Sequence, residues 1–217
     1  VYNEPYVQPA EPDNLDVDGL LKGLYLYRPM EVGPGDKVPH AQILASGVGL
    51  NWALEAQRRL AEEWQVAADV WSATSWNELR REAMACDEWN LMNPDGEARV
   101  PYVTQRLRDA PGPVVAVSDY MRAVQDQIAP YVTQEWLSLG TDGFGRSDTR
   151  ANLRRFFEVD TELTVIAALY ALYEKGVLAG GKVVEDAQHV GLGLHGDHRH
   201  VEVGADRGGL AGHRPGD

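Results

Sequence analysis

The chain has 217 residues, 44% of them hydrophobic, and a formal net charge of −13, which leaves enough apolar side chain for one large core or two small ones. The acidic balance excludes a protein that gains affinity from nucleic-acid phosphates or an anionic membrane surface, because either partner needs a basic face. No apolar run approaches the roughly 18 residues of a membrane span, and the single Cys86 cannot form an internal disulfide, which points to a reducing cytoplasm.

Residues 1 to 40 carry Pro5, Pro9, Pro12, Pro29, Pro34 and Pro39 with little periodicity. That composition predicts an extended connector, not a packed element. The first residue is Val1, and "VYNEPYVQPAEP" opens as though in mid-strand, so the chain is expected to be cut from something longer. His40 closes the connector beside Pro39 and is read as solvated, not catalytic. An alternation follows: "AQILAS" (41–46) as a strand, "LNWALEAQRRLAEEW" (50–64) as a helix with Leu50, Ala53, Leu54, Ala61 and Trp64 on one face, and "AADVWSA" (67–73) as the next strand. Further on, the pattern predicts a helix over 76–92, a short one over 102–108, a strand at 113–118, a helix over 119–130 and a last strand at 135–140. Strands alternating with helices of these lengths pair in parallel through right-handed crossovers, so the expected fold is a three-layer α/β/α domain with a mostly parallel sheet.

Candidate chemistry is sparse. "SGVGLNWALEA" (46–56) stands between a strand and a helix, but it lacks the third glycine of a dinucleotide fingerprint, and "DVWSAT" ends the next strand in Ser72, Ala73 and Thr74 where an acidic ribose ligand belongs. It reads as a tight turn made possible by Gly47 and Gly49. Cys86, in "REAMACDEWN", has no His near it in sequence and reads as a packed thiol. The strongest local signal is "GTDGFGRSD": Gly143 and Gly145 permit a sharp reversal, Ser147 or Asp148 can cap the next helix, and Asp142 can pair with Arg146 or Arg150. The same position, beyond the carboxyl end of a strand with arginines nearby, also suits an anionic group. The turn reading is preferred. Beyond it, "TELTVIAALYALYEKG" is apolar around most of its circumference and has to be buried on more than one side, against the sheet or another subunit. From about residue 187 the text turns Gly- and His-rich. His195, Asp197, His198 and His200 in "HGDHRH" are possible metal ligands, yet a glycine-rich terminus lacks the rigid frame of a metal site, so residues 187–217 are read as a mobile tail.

Several long segments, "NEPYVQPAEP", "ILASGVGLNWALEAQRRL", "DVWSATSWNELRREAMACDEWN", "SDYMRAVQDQIAPYV" and above all "LGTDGFGRSDTRANLRRFFEVD", resemble the carboxyl-terminal region of the homodimeric-type pyruvate dehydrogenase component of bacteria, a transketolase-like family. The resemblance runs from residue 1 to about 186. It implies an enzyme that decarboxylates pyruvate on thiamine diphosphate with Mg²⁺ and passes the two-carbon unit to the lipoyl group of dihydrolipoyl acetyltransferase. It also implies a homodimer whose first domain grips the diphosphate and whose middle domain binds the aminopyrimidine. Residues 41–186 then correspond to the third domain, and residues 1–40 to the connector that leaves the middle one. The cofactor motifs of the family belong upstream, so the resemblance assigns no catalytic, cofactor or metal residue here. Thr141, Asp142, Gly143, Phe144, Gly145, Arg146, Ser147 and Asp148 match the family's signature loop and are expected to be architectural, near the subunit interface or the active-site approach. After "KVVEDA" the resemblance stops, as a shifted reading frame would make it do. A freestanding interaction module of the same complex and a Rossmann-type cofactor binder are the competing expectations.

Overall fold

The computed structural model describes residues 7–33 and 37–181. The elements in chain order are α1 (Val17–Lys22), β1 (Tyr25–Arg28), β2 (His40–Ala45), α2 (Gly49–Trp64), β3 (Ala67–Ser72), α3 (Trp76–Met92), α4 (Tyr102–Leu107), β4 (Val114–Val117), α5 (Arg122–Asp126), β5 (Trp136–Leu139), α6 (Arg150–Phe156) and α7 (Thr161–Glu174). The strands form one sheet in the order β1-β3-β2-β4-β5, parallel except for β1, which runs antiparallel along β3. This is the expected α/β architecture with a mostly parallel sheet.

Strands buried on both faces must be apolar on both, and alternate side chains of β2 and β4 serve opposite layers. Ala41, Ile43, Ala45, Val115 and Val117 pack in the cluster that holds Ala53, Ala56 and Leu60 of α2 and Val165, Ala168, Leu169 and Leu172 of α7. Leu44, Val114 and Ala116 pack on the other side with Trp76 and Leu79 of α3 and Val103 and Leu107 of α4. Each of the fully buried leucines contributes about 2 kcal/mol relative to an exposed one. The apolar girdle of α7 is taken up by α2 on one side and by the edges of β2, β4 and β5 on the other. Local signals start the helices: Ser75 Oγ accepts from the Glu78 amide at the head of α3, and Asp160 Oδ1 accepts from the Leu163 amide at the head of α7.

Two expectations change. Residues 17–28, read as unpacked connector, form α1 and β1; Leu24 is fully buried and Tyr25 to Arg28 extend the sheet beyond β3. A four-residue edge strand has too few positions to show a period. The helix expected over 119–130 shrinks to α5, because the chain first turns, with the Tyr120 amide on Ser118 Oγ, and then tightens into a 3₁₀ turn at Ala129–Tyr131 around Pro130. The readings of residues 182–217, including His195, Asp197, His198 and His200, lie outside the described residues.

Candidate functional site

Strand order reverses between β2 and β4, since the chain passes from β2 outward to β3 and then returns across β2 to β4 and β5. In such sheets the crevice beyond the carboxyl ends at the reversal is where ligands gather. Here Ser46 Oγ donates to Ser118 Oγ at 2.8 Å across that point. Gly47 has φ +54°, and a Cβ on Gly49 would lie 3.1 Å from the Val117 carbonyl oxygen. "SGVG" is therefore a close turn that lets α2 start against β4. Above it an open cleft of about 820 Å³ is walled by Tyr25, Tyr27, Ser46, Ser72, Thr74 and Trp76. No Lys, Arg or His stands among its described walls, so it offers hydroxyls and aromatic faces but no cation for a diphosphate. The segment 7–10 borders the cleft, held by Asn51 Nδ2 donating to the Val7 carbonyl at 3.0 Å and Tyr27 Oη donating to that of Ala10 at 2.5 Å.

The signature loop leaves the carboxyl end of β5, and its base is clamped to the turn after β4. The Thr141 amide donates to the Tyr120 carbonyl at 2.8 Å, while Asp142 accepts from the Arg122 amide at 3.1 Å and from Arg122 Nε at 2.6 Å. The expected partner Arg146 does not make this link. Parallel pairing of β4 with β5 delivers Arg122 to Asp142, whereas Arg146 lies over the Phe156 ring, 3.9 Å from its centroid. Gly143 takes φ +96°, as the turn reading requires, and around Gly145 there is open space. Between them Phe144 projects, 96% exposed. The cap of α6 is Thr149, whose Oγ1 accepts from the Asn152 amide at 3.4 Å, not Ser147 or Asp148. Asp148 braces that cap instead, accepting from Asn152 Nδ2 at 2.9 Å and from the Thr149 amide at 2.7 Å, which together hold its carboxyl below the usual range. The loop and α6 enclose a groove of about 300 Å³ lined by Arg146, Ser147, Asp148, Asn152, Leu153 and Phe156.

At the opposite, amino end of the strands lies a polar network that the sequence reading missed. His40 is not solvated: its Nε2 meets Asp69 Oδ2 at 2.9 Å, and the two side chains are only 14% and 13% exposed. Asp69 also accepts from Gln42 Nε2 at 3.1 Å and, through Oδ1, from the Met30 amide at 2.8 Å. Gln42 in turn donates to the Pro111 carbonyl at 2.8 Å and accepts from Trp71 Nε1 at 2.7 Å. Burial pushes the Asp69 carboxyl up, but the hydrogen bonds from His40, Met30 and Gln42 outweigh it and leave the pKa below the ordinary value. A signal was available: Gln42 and Asp69 interrupt two apolar strands, and the parallel register sets them opposite each other. Buried polar groups have to find partners. Cys86 is buried with its Sγ donating to Glu82 Oε1 at 3.3 Å; burial and that carboxylate push the thiol up to about 11, so it is a packed, unreactive group. Among the described residues no three His, Cys, Asp or Glu side chains gather to hold a metal, and no helix is long and apolar enough to cross a membrane.

Residues 23–160 match the family model described as the transketolase-like TK C-terminal domain. The chain is 54% identical over 188 residues to a pyruvate dehydrogenase E1 component of Mycolicibacterium smegmatis, an alignment that covers 87% of this chain and 20% of that protein. The protein of the same description from Mycobacterium tuberculosis is 54% identical over 176 residues, 81% of this chain and 19% of its own length. That of Escherichia coli K12 is 42% identical over 186 residues, 85% and 20% respectively. The chain thus spans about one fifth of the length of these curated relatives.

Proposed function

Because the chain belongs to the transketolase-like TK C-terminal domain family, we propose that it is the carboxyl-terminal domain of an acetyl-transferring pyruvate dehydrogenase and supplies shape and contact to that enzyme. The observation that carries this reading is the 54% identity sustained over 87% of the chain with a protein described as a pyruvate dehydrogenase E1 component. In it the longer protein works in the cytoplasm as a homodimer, decarboxylates pyruvate on thiamine diphosphate with Mg²⁺, and acetylates the lipoyl group of dihydrolipoyl acetyltransferase. Residues 41–186 form the domain proper, the residues before 41 connect it to a pyrimidine-binding domain while lending α1 and β1 to its sheet, and 187–217 are an atypical extension.

The described residues do not fit the cofactor. They bring no metal-holding set together, and the cleft beyond the carboxyl ends presents no cation to a diphosphate. No step through thiamine diphosphate or Mg²⁺ is therefore assigned to any of them. What supports a structural role for the loop Thr141–Asp148 is the way its polar groups are spent. Asp142 is occupied by Arg122 and Asp148 by its own helix cap, so neither carboxylate is poised for acid or base work. The test is turnover. The full-length protein with thiamine diphosphate and Mg²⁺ is expected to release CO₂ from pyruvate and acetylate a lipoyl acceptor, and the 217-residue chain to do neither. Release of CO₂ by the chain alone, or no pyruvate turnover by the full-length protein, overturns the reading.

A further inference from the structure

The open cleft beyond the carboxyl ends of β2 and β3 has a wall of hydrogen-bond donors that the fold leaves unused. Tyr25 and Ser72 both line it, and the antiparallel register of β1 on β3 sets them opposite each other on one face of the sheet. Tyr25 is only 7% exposed, yet among the described residues neither its hydroxyl nor that of Ser72 has a hydrogen-bond partner. Trp76, 3% exposed in the same wall, has a buried indole N–H that likewise finds no acceptor. Buried tyrosine hydroxyls and tryptophan N–H groups ordinarily find one, because leaving a hydrogen bond unmade is costly. Other hydroxyls on the rim are spent: Thr74 Oγ1 donates to the Leu20 carbonyl, Tyr27 Oη to that of Ala10, and Ser46 Oγ to Ser118.

Idle donors gathered in one wall call for acceptor atoms from a bound molecule, and charge limits which molecule. The described walls hold no Lys, Arg or His. Glu11 lines the cleft, and Asp119 Oδ1 lies 4.0 Å from where Gly47, another lining residue, would carry a Cβ. Two carboxylates and no cation repel a phosphate or a carboxylate ligand. The acceptors that suit this wall are therefore neutral, such as carbonyl oxygens. The aromatic side chains of Tyr25, Tyr27, Trp76 and Tyr120 stand in the same walls, which favours a flat ring as the body that carries those oxygens. At about 820 Å³ the cleft has room for one.

We propose that this cleft binds a small uncharged heteroaromatic compound bearing a carbonyl or carboxamide oxygen, which accepts from the hydroxyls of Tyr25 and Ser72 with the Trp76 N–H as the third donor. The site goes beyond the enzymatic reading and does not depend on it.

The experiment is a ligand-observed NMR titration of the 217-residue chain with uridine, inosine and nicotinamide, and with uridine monophosphate as an anionic counterpart. At least one of the uncharged compounds is expected to bind with a Kd in the millimolar range or tighter. The Tyr25→Phe chain keeps the ring and loses the hydroxyl, and should bind that compound about fivefold more weakly, as the loss of one neutral hydrogen bond does. Ser72→Ala should act in the same direction. Because the Tyr25 hydroxyl holds nothing within the protein, Tyr25→Phe should leave the thermal midpoint unchanged or raise it. A midpoint lowered by several degrees would mean that the hydroxyl is already engaged inside the fold, and overturns the proposal. So does a failure of all the uncharged compounds to bind, binding indifferent to both substitutions, or uridine monophosphate bound as tightly as the best uncharged compound.

Discussion

The two ends of the parallel sheet treat polar groups in opposite ways. At the amino end, His40, Gln42 and Asp69 are turned inward, and each finds a partner across strands, on the Trp71 indole or on the loops at Met30 and Pro111. At the carboxyl end, the loop Thr141–Asp148 is turned outward, with Asp148 satisfied within its own turn, Asp142 by Arg122 on the turn after β4, and its aromatic tip in solvent. Inward polar groups are costly when unpaired and so pin the register of β2 on β3. Outward ones cost little, because water satisfies them. The polar groups at the amino end are therefore expected to matter more for stability than those of the loop.

If that division holds, substitutions at the amino end should unfold the domain and those at the carboxyl end should not. The largest effect is expected at Gly112, which has φ +83° and where a Cβ would sit 1.6 Å from the His40 carbonyl oxygen. Gly112→Ala should cost about 4 kcal/mol or prevent folding, as a backbone clash in a strained conformation does. A chemical denaturation curve that coincides with that of the parent chain would break the comparison at once.

Asp69→Asn comes next. It turns an acceptor of three hydrogen bonds into a group with a donor facing His40 and Gln42, and should cost roughly 2–3 kcal/mol near neutral pH. Its pH dependence sharpens the point. The folded pKa of Asp69 is depressed, so its contribution is complete above the pKa of an unfolded aspartate and is lost as pH falls through the folded value. The parent should therefore lose stability in acid more steeply than the variant, and the two curves should converge as pH drops below about 4. Parallel curves would mean that Asp69 is not the acid-sensitive group.

The smallest effect is expected at the other end. The Arg122–Asp142 pair is about half exposed on both sides, and exposed pairs are worth at most about 1 kcal/mol. Arg122→Ala should lower the thermal midpoint by no more than a few degrees. A loss as large as that of Asp69→Asn would erase the distinction between the two ends.

Periodicity and caps made most of the helices and the parallel strands legible in the sequence, because those signals act within a few residues. β2, α2, β3 and α3 stand within a residue or two of where the apolar pattern put them, and Gly143 was readable because only a residue without a Cβ takes φ +96° without strain. The edge strand β1 was not readable, since nothing in "YLYR" names its antiparallel partner β3, and Tyr25 finds Ser72, 47 residues on, only once the sheet is assembled.

By itself, then, the amino-acid order determined a doubly covered parallel sheet, an inert cysteine and a loop built to turn. Tertiary structure alone decided which charges meet: His40 with Asp69, 29 residues apart, and Arg122 with Asp142, 20 residues apart. The physical reason is that strand register, not chain proximity, sets which side chains stand opposite one another, and register is fixed only when both faces of the sheet are buried together.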